Sequence, residues 1–416
     1  MKRKLVIFSL MSLITLTGIA QITIEDCYLK AQTNYPLIKQ HDLIGKTEVY
    51  NLSNANKGYL PQIMFSAKAT YQSEVTEIPI SMPGVGGLSK DHYGATIEVS
   101  QTIWDGGAIS ARRESIRTAS EIDSKNLEVN LYSINDRINQ LYFGILLFDA
   151  RIVQNKIFQN ELKSNYEKVA SYVQNGIANQ ADLDAIKVEQ IKAQQTQIQL
   201  KYTKKAYLDM LSTMIGEQLT DDVILIKPEI TSTNTYSINR PEMGVFNAQI
   251  KNLEAKRQEI NSSMMPKLGA FVTGGYGRPG LNMLKNDFSS YYIAGIRLSW
   301  NISSLYTNKN SKRIIQNSIN VIETQRETFL FNTKIDISKK KSDLDKFYDK
   351  LKYDDEIIAL RSSIKKASES KMANGTLSGI DLIRDITAED IAKQDKILHE
   401  IELLLAAYNL KFATNN

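Results

Sequence analysis

The polarity of this chain changes period several times along its length, and the changes come in the same order twice. Ile63, Phe65, Ala67, Ala69 and Tyr71 alternate with Gln62, Ser66, Lys68, Thr70 and Gln72, Met64 being the exception. A second run sets Tyr93, Ala95, Ile97 and Val99 against Thr96, Glu98, Ser100 and Thr102. The later half repeats the apolar set as Leu268, Ala270, Val272 and Tyr276, then Tyr292, Ala294, Ile296, Leu298 and Trp300. Period two over about ten residues predicts strands with one apolar and one polar face. A barrel strand between lipid and a wet lumen has this pattern, and so does a soluble sandwich or an edge hairpin. Tyr71, Tyr93, Tyr276, Tyr292 and Trp300 near the strand ends fit an interfacial aromatic belt. Glu98 and Arg297 occupy equivalent places and are expected on the polar, lumen face.

Beyond the second strand the period becomes helical. Ile134, Ile138, Leu141, Ile145, Phe148 and Ile152 are spaced four, three, four, three, four, and the pattern resumes at Leu162, Tyr166, Val169 and Val173. This is a heptad seam for packing on another helix. The 68 residues from Ala108 to Asn175 contain no proline and one glycine, Gly144. At about 1.5 Å per residue they predict a single rod of roughly 100 Å. Asn175-Gly176 supplies a stop, because both residues accept the left-handed conformation that ends helices. A returning helix is expected from about Asp182 to Met214, ended by Gly216. Pro61 and Pro266 mark the helix–strand junctions, since a proline disfavours helix at the residue before it. Asp105-Gly106-Gly107 gives a flexible corner after the second strand, with the less flexible Ser303-Ser304-Leu305 as its counterpart.

The chain is written twice. Pro36 and Pro241 lie 205 apart (241 − 36), as do Pro61 and Pro266 (266 − 61). LPQIMFSAKATY from Leu60 matches MPKLGAFVTGGY from Met265. Downstream the offset becomes 199: Tyr93 pairs with Tyr292, and the tip NGIANQADL from Asn175 with NGTLSGIDL from Asn374. The expected organisation is a leader over 1–20, a first repeat over 21–220, a linker or equatorial segment over 221–240, and a second repeat over 241–416. Each repeat reads helix, two strands, long helical hairpin.

The leader expectation rests on Lys2, Arg3 and Lys4, the apolar run Leu5 to Leu16, and Gly18-Ile19-Ala20 before a cleavage site. These are the parts of a secretory signal peptide. Removing its three basic residues leaves 48 cations against 46 anions (51 − 3 = 48), a charge of +2 that argues against nucleic acid as a partner. Cys27 is the only cysteine, so no internal disulfide forms. No later stretch reaches transmembrane-helix length, so membrane insertion would require a closed barrel.

Two amphipathic rods per half, joined far from a strand pair, cannot bury their faces in one core, and four strands are too few to close a barrel. Oligomerisation solves both problems. Three chains would give twelve strands and a ring of helical hairpins.

ITIEDCYLKAQTNYPLIKQ, LPQIMFSAKATY, QTIWDGG and the doubled NG-x5-DL tips resemble the TolC-like outer-membrane efflux protein family, over nearly the whole chain after the leader. The resemblance implies a mainly α protein with β: a homotrimer in outer-membrane lipid, with a twelve-stranded transmembrane β-barrel, four strands per chain, continued by a periplasmic α-helical barrel. It implies a periplasmic adaptor protein and an inner-membrane pump as partners, and a Gram-negative outer-membrane location. By matching motif positions, Gly176-Ile177-Ala178 and Gly375-Thr376-Leu377 correspond to the tips that meet the adaptor. Asp381 corresponds to a ring of aspartates lining the closed periplasmic mouth, with Asp182 as its first-half counterpart. Some members carry a second aspartate three residues on, where this chain has Arg384 followed by Asp385. Asp381 also suits a helix N-cap region, a role that needs no gate.

Other signals carry less. PGVGGLSK from Pro83 lacks the Gly-Lys-Ser/Thr end of a phosphate loop. TGGYG from Thr273 continues a strand. His41, His92 and His399 show no ligand spacing, and no nucleophile motif is present, so no catalytic, metal or cofactor residue is expected and an enzyme is not. The expected function is a passive outer-membrane conduit in a tripartite efflux or type I secretion system. The rivals are a periplasmic coiled-coil adaptor or scaffold without a pore, and a stand-alone porin, for which a ~100 Å helical extension has no use.

Overall fold

The computed structural model describes residues 21–75, 89–230 and 237–415. The leader expected over 1–20 and most of the loop from Pro83 to Lys90 lie outside the described residues. Along the chain come β1 (Gln21–Ile22), α1 (Ile24–Asn34), α2 (Lys39–Asn56), β2 (Gln62–Tyr71), β3 (Asp91–Trp104), α3 (Ala108–Tyr132), α4 (Ile134–Gln174) and α5 (Gln180–Ile215). Then follow β4 (Ile224–Leu225), α6 (Glu242–Ser263), β5 (Lys267–Arg278), β6 (Ser289–Ser299), α7 (Ser304–Ala373) and α8 (Gly379–Thr414). Two compact units result. A helical unit takes the chain up to Ile38, Asn130–Arg240 and the chain from Leu330; a sheet unit takes Lys39–Val129 and Pro241–Phe329.

In the sheet unit the strand order is β2-β3-β5-β6, antiparallel throughout. Register puts the apolar positions in common rows. Ile63 pairs with Val99, Val99 with Val272 and Val272 with Ala294; Phe65 pairs with Ile97. One face of the sheet is therefore apolar across all four strands. Ile63, Phe65, Ile296 and Leu298 on it are each about 70% exposed in the single chain. The edges of β2 and β6 pair with nothing among the described residues. In α3 and α6 the small side chains Ala111, Ala248 and Ala255 are buried, and a hydrogen-bonded amide joins the two helices. Asn252 Nδ2 donates to Thr118 Oγ1 at 2.9 Å and to the Ser115 carbonyl at 3.2 Å, so the buried amide is satisfied.

The expected single rod from Ala108 to Asn175 is instead two helices, α3 and α4, meeting at Ser133. Ser133 Oγ bonds the Asn130 carbonyl at 2.7 Å. Such local back-bonding competes with the helical ladder, which no hydrophobic period reveals. Its counterpart α7 runs 70 residues without interruption.

In the helical unit α4 is held from several sides. The seam residues Ile134, Ile138, Leu141 and Ile145 are buried, joined by Cys27 and Ala31 of α1, Leu208 and Leu211 of α5, and Ile401 and Leu404 of α8. Tyr142 and Phe143 are also buried, outside the predicted stripe. Tyr142 donates its hydroxyl to the carbonyls of Ile22 (2.8 Å) and Ile226 (2.7 Å). This fastens a parallel pairing, Gln21 to Ile224 and Ile22 to Leu225, between the start of the described chain and the 221–240 segment. Burial pushes the Cys27 thiol up to about 12, which leaves it a packing group rather than a nucleophile. Among the described residues no helix is long and apolar enough to cross a membrane.

Candidate gate and docking tips

Each hairpin of the helical unit ends in a tight turn built by its glycine. Gly176 has φ +74° and Gly375 φ +69°. At the first tip the Ile177 N–H reaches back to the Tyr172 carbonyl (2.8 Å) and the Gly176 N–H to that of Val173 (3.1 Å). At the second, the Thr376 and Gly375 N–H groups bond the carbonyls of Lys371 and Met372, each at 2.9 Å. This six-to-one and five-to-two pairing satisfies the last carbonyls of a helix and needs φ > 0 at the glycine. Ala178 and Leu377 turn inward onto a core of Phe158, Leu162, Val169, Ile186, Met372 and Ile386. Gly176, Ile177, Gly375 and Thr376 stay exposed.

The two tips are joined by one carboxylate. Asn179 caps α5, and Asp182 completes a capping box with it, accepting from the Asn179 N–H at 3.2 Å. Asp182 also accepts from the Gly379 N–H at 2.6 Å, across to the start of α8, and is 4% exposed. A side chain at 379 would place its Cβ 2.5 Å from that of Asp182, so the contact requires glycine there. The repeat equivalent of Gly379 is Gln180 (379 − 199), and this break in the pattern is the signal by which Gly379 could have been singled out.

Asp381 sits in the first turn of α8, where Ser378 Oγ donates to it at 2.7 Å. Arg384, one turn on and 70% exposed at its side chain, lies 3.1 Å from Asp381 and 3.9 Å from Asp385. Asp385 turns inward and accepts from Ser368 Oγ of α7 at 2.6 Å. Of the four expected gate residues, then, Asp381, Arg384 and Asp385 form one exposed-to-buried cluster, and Asp182 is buried beside it in the joint between tips.

Farther along the same helices is a network that periodicity did not indicate. Lys365 of α7 bonds Glu161 of α4 and Glu389 of α8, the latter at 2.5 Å, and Lys393 adds a contact to Glu389 at 3.0 Å. Burial works against both charges. The hydrogen bonds that Lys365 donates to Glu161 and Glu389 outweigh it there, and the ammonium titrates above its ordinary range. Those from Lys365 and Lys393 outweigh it at Glu389, which titrates below its own. Next to it burial raises the Asp390 carboxyl, although Gln154 and Gln394 donate to it.

In the sheet unit Pro61 and Pro266 immediately precede β2 and β5. Gly106 and Gly107 take φ +68° and +86° at the corner after β3. There the buried Asp105 accepts from the N–H groups of Gly107 (2.9 Å) and Ile109 (2.6 Å). On the polar face Arg297 lies 3.3 Å from Glu98. Among the described residues no group of three or more His, Cys, Asp or Glu side chains could hold a metal.

A four-stranded sheet with an exposed apolar face, set in one chain with long hairpins ending in paired tips, is the fold of outer-membrane channels. Solved structures similar to this chain include the outer-membrane channel OprN, with 13% identity, a TM-score of 0.69 and coverage of 94% of this chain and 89% of that one. The outer membrane protein VceC of Vibrio cholerae has 11% identity, a TM-score of 0.68 and coverage of 94% and 96%. The open state of the Neisseria gonorrhoeae MtrE outer membrane channel has 12%, 0.66, and coverage of 94% and 89%. At such identities the likeness is one of fold. No curated protein sequence matches the chain. Residues 31–217, however, match the family described as outer membrane efflux protein.

Proposed function

We propose that the protein is the outer-membrane channel of a tripartite efflux or type I secretion system, a passive conduit from periplasm to exterior made of three copies. The observation that carries this reading is the sheet: its apolar face is exposed on all four strands, and both its edges are open. An open edge cannot stand in lipid, where every backbone group needs a partner. Closing β2 of one copy on β6 of the next leaves no edge and turns four strands into twelve. The periplasmic helices would then continue the barrel toward an adaptor and an inner-membrane pump.

In this reading the exposed tip residues Gly176, Ile177, Gly375 and Thr376 meet the adaptor, with Ala178 and Leu377 setting the tip's shape. Asp381 supplies one carboxylate per copy to the closed mouth. Arg384 offsets it in the resting state, and Asp385 anchors the turn to α7. Opening requires the tips to part.

Cysteines placed in turn at positions 63, 65 and 67 of β2, each combined with Ile296→Cys in β6, test the closure. Oxidation in outer membranes should yield dimers and trimers for at least one pairing. Monomer at every pairing would remove the shared barrel. For the mouth, Asp381→Asn should change cation block or closed-state leak in planar bilayers, and unchanged conductance and block would take Asp381 out of the gate.

A further inference from the structure

The helix-side rim of the sheet carries a charge asymmetry that a conduit does not require. Residues 57–60, 105–117, 259–267 and 300–313 flank the four strand–helix junctions. They hold eight Lys and Arg against three acids, Asp105, Glu114 and Glu259. Six of the eight, Arg112, Arg113, Arg117, Lys309, Lys312 and Arg313, stand within the first ten residues of α3 and α7. The described residues at the opposite rim, 71–75, 89–92 and 276–291, balance three cations with three anions.

The cations at the helix side are also poorly compensated. Asp105 is engaged by backbone N–H groups, and Glu114 faces Arg117 at 3.6 Å. Among the described residues Arg112, Arg113, Lys309, Lys312 and Arg313 have no carboxylate within 4 Å. Arg113 and Arg117, one helical turn apart, line a cleft of about 550 Å³ with Ser110, Gln258, Asn261 and the carboxylate of Glu114, which the two arginines outnumber. The Arg113 Nε in it is buried without a hydrogen-bond partner. At the same rim Tyr59, Trp104, Trp300 and Tyr306 are exposed, from 44% to 82%. Amphipathic rings of this kind sit at headgroup level in a bilayer.

We propose that this rim is a binding collar for anionic phospholipid headgroups of the leaflet facing the periplasm, with the Arg113–Arg117 cleft seating a phosphate. The proposal rests on the barrel reading given above. A guanidinium pair offers forked donors matched to phosphate oxygens, and the uncompensated lysines add attraction to a negatively charged surface. Exposed rings anchor the depth at which the charges meet the headgroups.

The test reconstitutes the full-length protein into vesicles of phosphatidylethanolamine with or without phosphatidylglycerol, then extracts it gently and weighs the lipids it retains by native mass spectrometry. Wild type should retain phosphatidylglycerol roughly tenfold or more over phosphatidylethanolamine at equal mole fraction, the scale expected of several basic residues at an anionic surface. R113Q/R117Q/K309Q should retain both alike, K90Q/K285Q at the opposite rim should behave as wild type, and excess inorganic phosphate should not displace the lipid. Equal retention of the two lipids by wild type would overturn the collar whether or not the triple variant folds. So would an undiminished preference in a folded triple variant, or displacement by free phosphate. Failure of wild type to insert into either vesicle would overturn the barrel reading and the collar with it; insertion without preference removes the collar alone.

Discussion

The helix α4 and the later part of α7 stand at the same place in the two halves of the sequence, yet they meet different surroundings. Twelve of the 41 residues of α4 are buried. Of the 70 in α7 only Ile319, Asp354, Ser368 and Met372 are. Both carry a seam. That of α4 is covered by α1, α5 and α8. In α7, Tyr353, Ile357, Leu360 and Ile364 are spaced four, three, four, and each is at least 45% exposed. A heptad stripe of that kind is built to pack on a helix, and among the described residues no helix covers it. One half of the repeat supplies the chain's own core, while the other leaves an apolar face that the proposed trimer would cover.

The largest way to sharpen this contrast is to cut each seam in turn. Phe143→Ala removes a side chain that is 1% exposed and packs edge-on against Tyr142 and at a tilt against Tyr408. It should cost about 3–5 kcal/mol, the range for emptying an aromatic core site, read by denaturant unfolding. Ile357→Ala with Leu360→Ala should leave monomer unfolding nearly unchanged and lower the temperature at which trimers separate in detergent. Equal effects on the monomer would mean that α7 is covered within its own chain.

Next in size is the network joining α4, α7 and α8. Glu389→Ala strands Lys365 on Glu161 alone and should cost about 3 kcal/mol, as breaking a buried ion pair does. Because the folded Glu389 carboxyl lies below its ordinary 4.5, its contribution is complete above that pH. It is lost as the pH falls through the lowered value. Wild-type stability should therefore drop on acidification through that window more steeply than that of Glu389→Gln, and parallel curves would contradict the assignment.

Smaller effects are expected at the tips and the break. Gly379→Ala pushes a Cβ onto Asp182 and should cost roughly 1–2 kcal/mol, the scale of a lost cap, seen as faster hydrogen exchange at the start of α8. Ser133→Ala removes the back-bond between α3 and α4. It should change stability by no more than about 0.5 kcal/mol, as a surface helix substitution does.

What the sequence made legible follows from what repeats. Strands were visible because Ile63, Phe65, Ile97 and Val99 keep one face in period two, and the tips because Asn-Gly recurs at a fixed offset. Tyr142 and Phe143 were not, since a helix packed on several sides buries residues off any single stripe. Ser133 interrupts a rod through a side-chain hydrogen bond, which leaves the apolar pattern intact. Asp182 and Lys365 act through partners 197 and 204 residues away, Gly379 and Glu161, and pairings of that range have no local signature.

In the proposed trimer two further copies meet the uncovered surfaces of α7 and of the open sheet. The decisive measurement is the mass of the protein extracted from outer membranes in mild detergent, with the detergent contribution subtracted. A trimer, three times the protomer mass, is the expected result. A monomer, or recovery from the soluble periplasmic fraction, would contradict it and leave those apolar surfaces to be explained by a different partner.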